Sequence, residues 1–166
     1  MILKQWYQAF KKTCNDGTVN FCDIMGENKT MVYFSPSILN LMDTYVTDKY
    51  CSGVIFGTGN ANPTINDYKL SGDLVKNVSV AAYKTTTENP DGSEIYEATY
   101  TLNNNGNESV TIGEVGLCYK AHNTAYGSSG GGYALFERTT LESPITIEAG
   151  GVGQITYTIR MNYPTA

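Results

Sequence analysis

The chain has 166 residues, 41% of them hydrophobic and 16% charged, with a formal net charge of −5. This length suits one domain, or one domain with an appendage, and a core large enough to fold unaided. The negative charge and the lack of any Lys/Arg cluster exclude a nucleic-acid binder, and no apolar stretch reaches membrane-spanning length, so we expect neither nucleic acid nor membrane as a partner.

The first third of the chain mixes a helix with small β elements. Apolar residues recur at three-to-four spacing between Ile2 and Phe10, which predicts a short N-terminal helix. A turn at 15–17 leads into a small hairpin, with strands predicted at 18–24 and 30–34. We therefore interpret residues 1–52 as a helix-and-hairpin appendage, a possible docking element. Its candidate interface residues are the aromatic side chains of the helix, Trp6, Tyr7 and Phe10.

The remainder of the chain reads as one strand after another. Thirteen tyrosines and abundant Thr suit pleated sheet faces, and Asn- and Gly-rich turns separate the runs. No helical pattern intervenes, so a parallel α/β sheet is disfavoured. The pattern predicts a mainly β domain over residues 53–166, an antiparallel β-sandwich of Ig-like or jelly-roll type. The predicted strands are 53–56, 74–87, 94–102, 110–122, 135–141, 145–147 and 154–161, and we expect one face of them to be buried. Alternation predicts a shared face in three of them, formed by Val78, Val80 and Ala82, by Tyr96, Ala98, Tyr100 and Leu102, and by Ile155, Tyr157 and Ile159.

Glycine and tyrosine mark special positions within these strands. Gly113 and Gly116 interrupt a long apolar strand, which predicts either bulges or close packing. A Gly-rich loop at 127–132 lies between Tyr126 and Tyr133. Because tyrosine is large, fairly rigid and amphipathic, both are candidate interface residues.

The stretch FGTGNANPTINDYKL, residues 56–70, allows two readings: a phosphate cradle or a turn. A dinucleotide fingerprint needs a third glycine that opens a helix, but position 62 is Asn and Pro63 follows it. A P-loop needs Gly-Lys followed by Ser or Thr, which is missing. The favoured reading is a structural loop after a buried strand, and its residues are Gly57, Thr58, Gly59, Pro63, Asp67 and Tyr68.

Catalytic and metal-binding patterns are missing as well. His122 is the single histidine and has no nucleophile motif beside it. The carboxylates between Glu88 and Glu97 surround a predicted hairpin tip, where no walled pocket would raise a pKa. The four cysteines, Cys14, Cys22, Cys51 and Cys118, lack zinc-site spacing and are interpreted as buried free thiols. We expect no catalytic residues, no cofactor and no metal, and hence not an enzyme.

Three passages resemble one protein family: VIFGTGNANPTINDYKL (54–70), IGEVGLCYKA (112–121) and ALFERTTLESPITIEAGGVGQITYTIRMNYP (134–164). They are similar to passages of the β-sandwich structural proteins of tailed bacteriophages. The resemblance implies a multi-copy accessory or decoration subunit of the virion, assembled in the cytoplasm of the host bacterium. Its partners would be capsid, portal, neck or tail subunits and other copies of itself. No catalytic motif comes with the family.

A second hypothesis is a receptor- or glycan-binding module of a tail fibre, with the tyrosine-bearing loop 123–133 contacting the ligand. An enzyme that degrades capsular or cell-wall sugar is a weaker third. Fibre tips often trimerise along repeats, and the sequence shows neither a repeat nor a heptad pattern. This favours a compact head- or neck-associated subunit over a fibre.

Overall fold

The computed structural model describes residues 19–31, 45–46, 53–90, 94–120 and 132–161. Their regular structure consists of strands: β1 (Val19–Cys22), β2 (Asn28–Met31), β3 (Tyr45–Val46), β4 (Gly53–Gly57), β5 (Val78–Glu88), β6 (Glu94–Asn104), β7 (Val110–Lys120), β8 (Tyr133–Ile147) and β9 (Val152–Met161). The predicted mainly β class is thus confirmed. The N-terminal helix, with Trp6, Tyr7 and Phe10, and the loop residue Tyr126 lie outside the described residues. Over the described ranges no helix is present that could span a membrane.

The small hairpin predicted near the N-terminus is confirmed, because β1 and β2 pair antiparallel along their whole length. The second strand begins at Asn28, two residues earlier than predicted, since the turn ends sooner. Asp23 closes that turn: its Oδ1 accepts the backbone N–H groups of Met25 and Glu27, each at 2.9 Å. An acidic side chain that binds backbone amides two and four residues on is typical of such turns.

The chain divides into two compact units that interleave in sequence. Unit 1 contains the residues up to Lys76 together with Thr111–Ile145, and unit 2 contains Asn77–Val110 and the residues from Thr146 onward. Both the β1–β2 hairpin and strand β4 belong to unit 1. The domain boundary between residues 52 and 53 remains a prediction.

Unit 1 is built on a four-stranded sheet in the order β3-β4-β7-β8. Strands β4 and β7 pair antiparallel, from Gly53 opposite Cys118 to Gly57 opposite Glu114. The short strand β3, which lies before the range predicted to form the antiparallel sandwich, runs parallel to β4. A strand of only two residues is too short to show alternation in the sequence. Neither the strand nor its direction could therefore be predicted from the sequence.

The core of unit 1 surrounds its two central strands. All five residues of β4 are buried, as are the consecutive residues 112–119 of β7. Continuous burial is expected where a strand is covered on both faces. One apolar cluster consists of Ile24, Ile55, Leu70, Cys118 and Leu135, with Leu74 and Tyr133 packed against it.

Strand β8 corrects the sequence prediction of two separate strands at 135–141 and 145–147. It runs for 15 residues without a break and includes Pro144. Proline removes one hydrogen-bond donor from a strand, which is tolerated at the edge of a sheet. Because β8 is the last strand in the order of its sheet, Pro144 does not end it.

Unit 2 contains a three-stranded antiparallel sheet in the order β5-β6-β9. The predicted alternation of β6 is confirmed, because Ala98, Tyr100 and Leu102 are buried, and so are Ile155 and Tyr157 on the neighbouring strand β9. One face of this sheet is therefore apolar and buried over much of its area, as expected for strands rich in aromatic and branched residues.

The start of β5 differs from the predicted strand at 74–87. Leu74 instead forms an isolated bridge with Gly57 in unit 1, and β5 begins at Val78. Asn77, directly before it, has a φ of 59°, a left-handed conformation that ends extended structure. Ala82, predicted to share a buried face with the strand's two valines, is exposed.

Asn104 organises the turns at one end of the unit 2 sheet. Its side chain is 1% exposed, and its Oδ1 accepts the backbone N–H of Gly106 at 2.9 Å. Its Nδ2 donates to three carbonyl oxygens, those of Glu108 at 2.8 Å, Ile147 at 3.0 Å and Glu148 at 3.1 Å. The buried amide is thus satisfied on both sides, as a buried polar group requires.

Candidate functional site: a loop held by a buried ion network

The residues between β4 and β5 form a closed loop, residues 58–73, which we call the GTG loop. Its two ends bind each other: the N–H of Thr58 donates to the carbonyl oxygen of Asp73 at 2.9 Å, and the N–H of Asp73 donates to Oγ1 of Thr58 at 3.1 Å. Just outside the loop, the N–H of Val75 donates to the carbonyl oxygen of Phe56 at 2.9 Å. The loop therefore leaves the sheet and returns to it at the same place.

Glu114 of β7 binds the returning limb of the GTG loop. Its Oε1 accepts the backbone N–H of Gly72 at 2.8 Å, and its Oε2 accepts the N–H and the hydroxyl of Ser71, each at 3.1 Å. The carboxylate is completely buried. Two backbone amides that could cradle an anion are thus bound to the protein's own carboxylate, which favours the structural reading of the loop over a phosphate site.

Arg138 of β8 joins this carboxylate to the outgoing limb of the loop. Its Nη1 lies 2.6 Å from Oε2 of Glu114, and its Nε donates to Oδ2 of Asp67 at 2.8 Å. Its Nη2 donates to the carbonyl oxygens of Ala61 and Asn62, both at 3.0 Å. The guanidinium is only 2% exposed. Its planar fork of donors is suited to bridging two carboxylates and backbone carbonyls at once.

Asp67 also stabilises the turn at the tip of the loop. Its Oδ2 accepts the N–H of Thr64 at 2.9 Å, and its Oδ1 accepts the Thr64 hydroxyl at 2.6 Å. The N–H of Asp67 in turn donates to the carbonyl oxygen of Thr64 at 3.1 Å. A single carboxylate thus holds both the local turn and the distant arginine.

Both carboxyl groups are held in the charged form. Burial by itself raises the pKa of Glu114, but hydrogen bonds from Gly72, Ser71 and Arg138 outweigh it and bring that pKa below 4.5. Burial likewise opposes ionisation of Asp67, and hydrogen bonds from Thr64 with the charge of Arg138 lower its pKa below 3.8. The network therefore contains two negative charges and one positive charge at neutral pH. Hydrogen bonds from backbone N–H groups stabilise the excess negative charge.

The chemistry left to Glu114 is limited by its contacts. Glu114 accepts four hydrogen bonds: Oε2 accepts three, from the Ser71 N–H, the Ser71 hydroxyl and Arg138, and Oε1 accepts one, from the Gly72 N–H. A general base must reach its substrate, and the carboxylate of Glu114 is completely buried. The arrangement is suited to fixing a loop rather than to moving protons.

Glycines allow the close approach that the network requires. A Cβ atom on Gly59 would overlap the Ser71 hydroxyl, the Glu114 carboxylate and the amide nitrogen of Gly72. A Cβ atom on Gly113 would overlap the carbonyl oxygen of Gly59. None of these glycines has a positive φ, so the requirement is for space. Of the two alternatives predicted for Gly113, close packing is the one observed.

The remaining residues predicted for the loop and for an interface have different surroundings. Pro63 and Tyr68 are half-buried in the GTG loop, and the ring of Tyr68 lies beside the hairpin turn at Gly26. Tyr133, a predicted interface residue, is half-buried against the core cluster of unit 1. Its role at an interface remains a prediction.

Thiols and metal ligands form no site in the described part of the chain. The thiol of Cys118 is buried and that of Cys22 is half-buried. Across those same residues, no group of three or more His, Cys, Asp or Glu side chains is placed to hold a metal ion. His122, Cys14 and Cys51 lie outside the described residues.

The sequence analysis did not identify Glu114 and Arg138, the two strand residues that hold the GTG loop. Each interrupts an apolar run, IGEVGL and ALFERTTL respectively. A charged residue within a strand that is otherwise continuously apolar predicts a buried, paired charge, because an unpaired one would be too unfavourable. That signal was present, but it does not identify the partner.

Comparisons of the chain with known protein families, with curated proteins and with solved structures found no match. The resemblance to bacteriophage virion proteins therefore rests on the three sequence passages alone.

Proposed function

We propose that the protein is a structural subunit of a tailed-bacteriophage virion. It would pack against capsid, neck or tail subunits as a multi-copy accessory or decoration component. The observation that carries the proposal is the network of Glu114, Arg138 and Asp67, which uses three charged side chains to fix a loop on its own sheet. A binding surface that is already rigid loses little conformational entropy when it docks.

The tip of the GTG loop is the contact surface in this proposal. Thr64, Ile65 and Asn66 are exposed there, and the apolar side chain of Ile65 is 55% exposed. Asp67 and Arg138 hold the backbone on one side of the tip. An apolar side chain on a rigid, polar-rimmed support resembles the anchor residues of protein interfaces.

We further propose that the sheets form a sandwich of the Ig-like or jelly-roll type. The support is that the antiparallel strands β6 and β9 present alternate residues to a buried apolar face. Sandwich architectures require such faces.

The test is detection of the chain in gradient-purified particles by mass spectrometry and by immunogold labelling. We expect many copies per particle at one defined location. An Ile65→Asp variant should fold normally and be incorporated less than wild type. Met25→Asp is the matched control, because Met25 is also an exposed apolar residue of unit 1 (71% exposed) but lies outside the loop. Chain found in lysates and missing from purified particles would refute the proposal.

The second candidate, a receptor- or glycan-binding module, is favoured by one observation in unit 2. A shallow depression of about 450 Å³ lies on its sheet, lined by uncharged residues: Ala81, Ala82, Tyr83, Thr99, Thr101 and Gln154. An exposed tyrosine ring beside hydroxyl and amide groups could stack on and hydrogen-bond a neutral sugar. An array of neutral oligosaccharides tests this candidate, with Tyr83→Ala expected to abolish any binding and Tyr68→Ala to preserve it.

A further inference from the structure

Among the described strands, β5 is a long edge of the unit 2 sheet with a neighbour on one side only. It is the terminal strand in the order β5-β6-β9 and has 11 residues. Every residue from Ala81 to Thr87 is exposed. Because alternate side chains of a strand point to opposite faces, this stretch is open on both faces of the sheet. The most prominent side chain is Tyr83, which is 71% exposed.

Proteins usually protect such an edge from pairing with other chains, and β5 lacks the usual protection. The common devices are a short strand, a proline, a bulge or several charges. Strand β5 contains no proline, pairs residue for residue with β6 from Val78 to Glu88, and has Lys84 as the one charge within 81–87. Its Tyr and Thr residues also favour extended structure. An edge of this kind is suited to accepting another strand.

We propose that the occupant is β5 of a second copy of this chain, paired antiparallel about a two-fold axis at Thr85. A pairing centred on Lys84, the midpoint of the exposed stretch, would place two ammonium groups opposite each other, which is unfavourable. Centring on Thr85 places Lys84 opposite Thr86 of the second copy. It also places Tyr83 opposite Thr87 of the second copy, and the two-fold axis generates this pair twice. Cross-strand pairs of an aromatic and a β-branched residue stabilise sheets.

The resulting dimer has one continuous six-stranded sheet in the order β9-β6-β5-β5-β6-β9. The inference rests on the proposed function for its setting, a particle in which copies of the chain assemble. It adds the surface and the register of that assembly. The depression beside Tyr83 lies next to the new junction, because three of its lining residues belong to β5.

The test is the molar mass of the full chain by size-exclusion chromatography with light scattering over a wide range of concentration. Wild type should be a dimer. Thr85→Lys and Thr85→Glu should each weaken dimerisation about tenfold or more, because each places like charges opposite each other at the axis. An equimolar mixture of the two variants should restore the dimer, since opposite charges then meet.

Thr158→Lys is the matched control. Thr158 lies on β9 at the other edge of the sheet, and both it and Thr85 are cross-strand neighbours of Glu97. This variant should dimerise like wild type. Monomeric wild type at all concentrations, or a dimer unaffected by Thr85→Lys, would overturn the inference.

A photo-crosslinking residue at position 85 separates this inference from the proposed function. Crosslinks to the same chain within particles support both. A crosslink to a different virion protein excludes the second copy as occupant and leaves the virion role intact. A dimer in solution whose chain is missing from particles removes the virion role alone.

Discussion

Nη1 of Arg138 lies 2.6 Å from Oε2 of Glu114, and neither side chain is more than 2% exposed. The two residues stand on neighbouring strands of the unit 1 sheet, and each also binds one limb of the GTG loop. Burial of a charge is unfavourable unless it is paired and hydrogen-bonded, and here both conditions are met. The pair therefore makes the position of the loop depend on the sheet beneath it.

Replacement of Glu114 by Gln should lower the free energy of unfolding by about 3 kcal/mol, because removal of one member of a buried ion pair leaves its partner incompletely compensated. The substitution keeps the shape of the side chain and removes its charge. Urea denaturation followed by far-UV circular dichroism measures the change. Glu142→Gln, at an exposed position of the same strand as Arg138, should leave stability unchanged within about 0.5 kcal/mol. Equal effects of the two substitutions would contradict a special role for the network.

Stability should fall as the solution is acidified. The pKa values of Glu114 and Asp67 are below their ordinary values of 4.5 and 3.8 in the folded protein, so the unfolded chain takes up protons first. The stabilising contribution is complete above those ordinary values and is lost as the pH falls through the lowered folded-state values. Thermal unfolding between pH 7 and pH 3 measures the loss. The melting temperature should fall less steeply with decreasing pH in the Glu114→Gln variant than in wild type. An unchanged pH dependence would exclude Glu114 as a source of the acid sensitivity.

Replacement of Gly59 by Ala should lower the free energy of unfolding by about 2 kcal/mol, because the added methyl group overlaps backbone and carboxylate atoms that cannot move freely. Asn60→Ala, at the next and exposed position, is the control and should have little effect. The loop itself should also become more mobile. Hydrogen exchange of the Ser71 and Gly72 amides reports this, and full protection in Gly59→Ala would argue against the predicted clash.

Replacement of Asn104 by Asp should destabilise unit 2 more than replacement by Ala. The Ala variant loses four hydrogen bonds, which amounts to about 2–3 kcal/mol for a buried group with unsatisfied partners. The Asp variant has nearly the same shape but directs a carboxylate at three carbonyl oxygens. Chemical denaturation ranks the two variants, and Asn103→Asp, one residue away, serves as the control. The opposite ranking would show that the amide donors contribute little.

The sequence predicted those parts of the fold that depend on short-range patterns. Alternation along β6 and β9 identified their buried faces correctly, and the turn residues identified the β1–β2 hairpin. Strand β8 was divided wrongly, because a proline reads as a break unless the edge position of the strand is known. The site was harder to predict from the sequence, because Glu114 and Arg138 are 24 residues apart and bind a loop up to 77 residues away. Local periodicity contains no information on such pairings.

The interleaving of the two units has a consequence for the order of events during protein synthesis. The amides of Ser71 and Gly72 leave the ribosome 43 and 42 residues ahead of their acceptor, and Ala61 precedes Arg138 by 77 residues. At a translation rate of about 5–20 residues per second, the last of these delays is roughly 4–15 s. A nascent chain therefore carries an unfastened loop until residues 77–110 and then Glu114 and Arg138 have been made, and chaperones would meet it in that state.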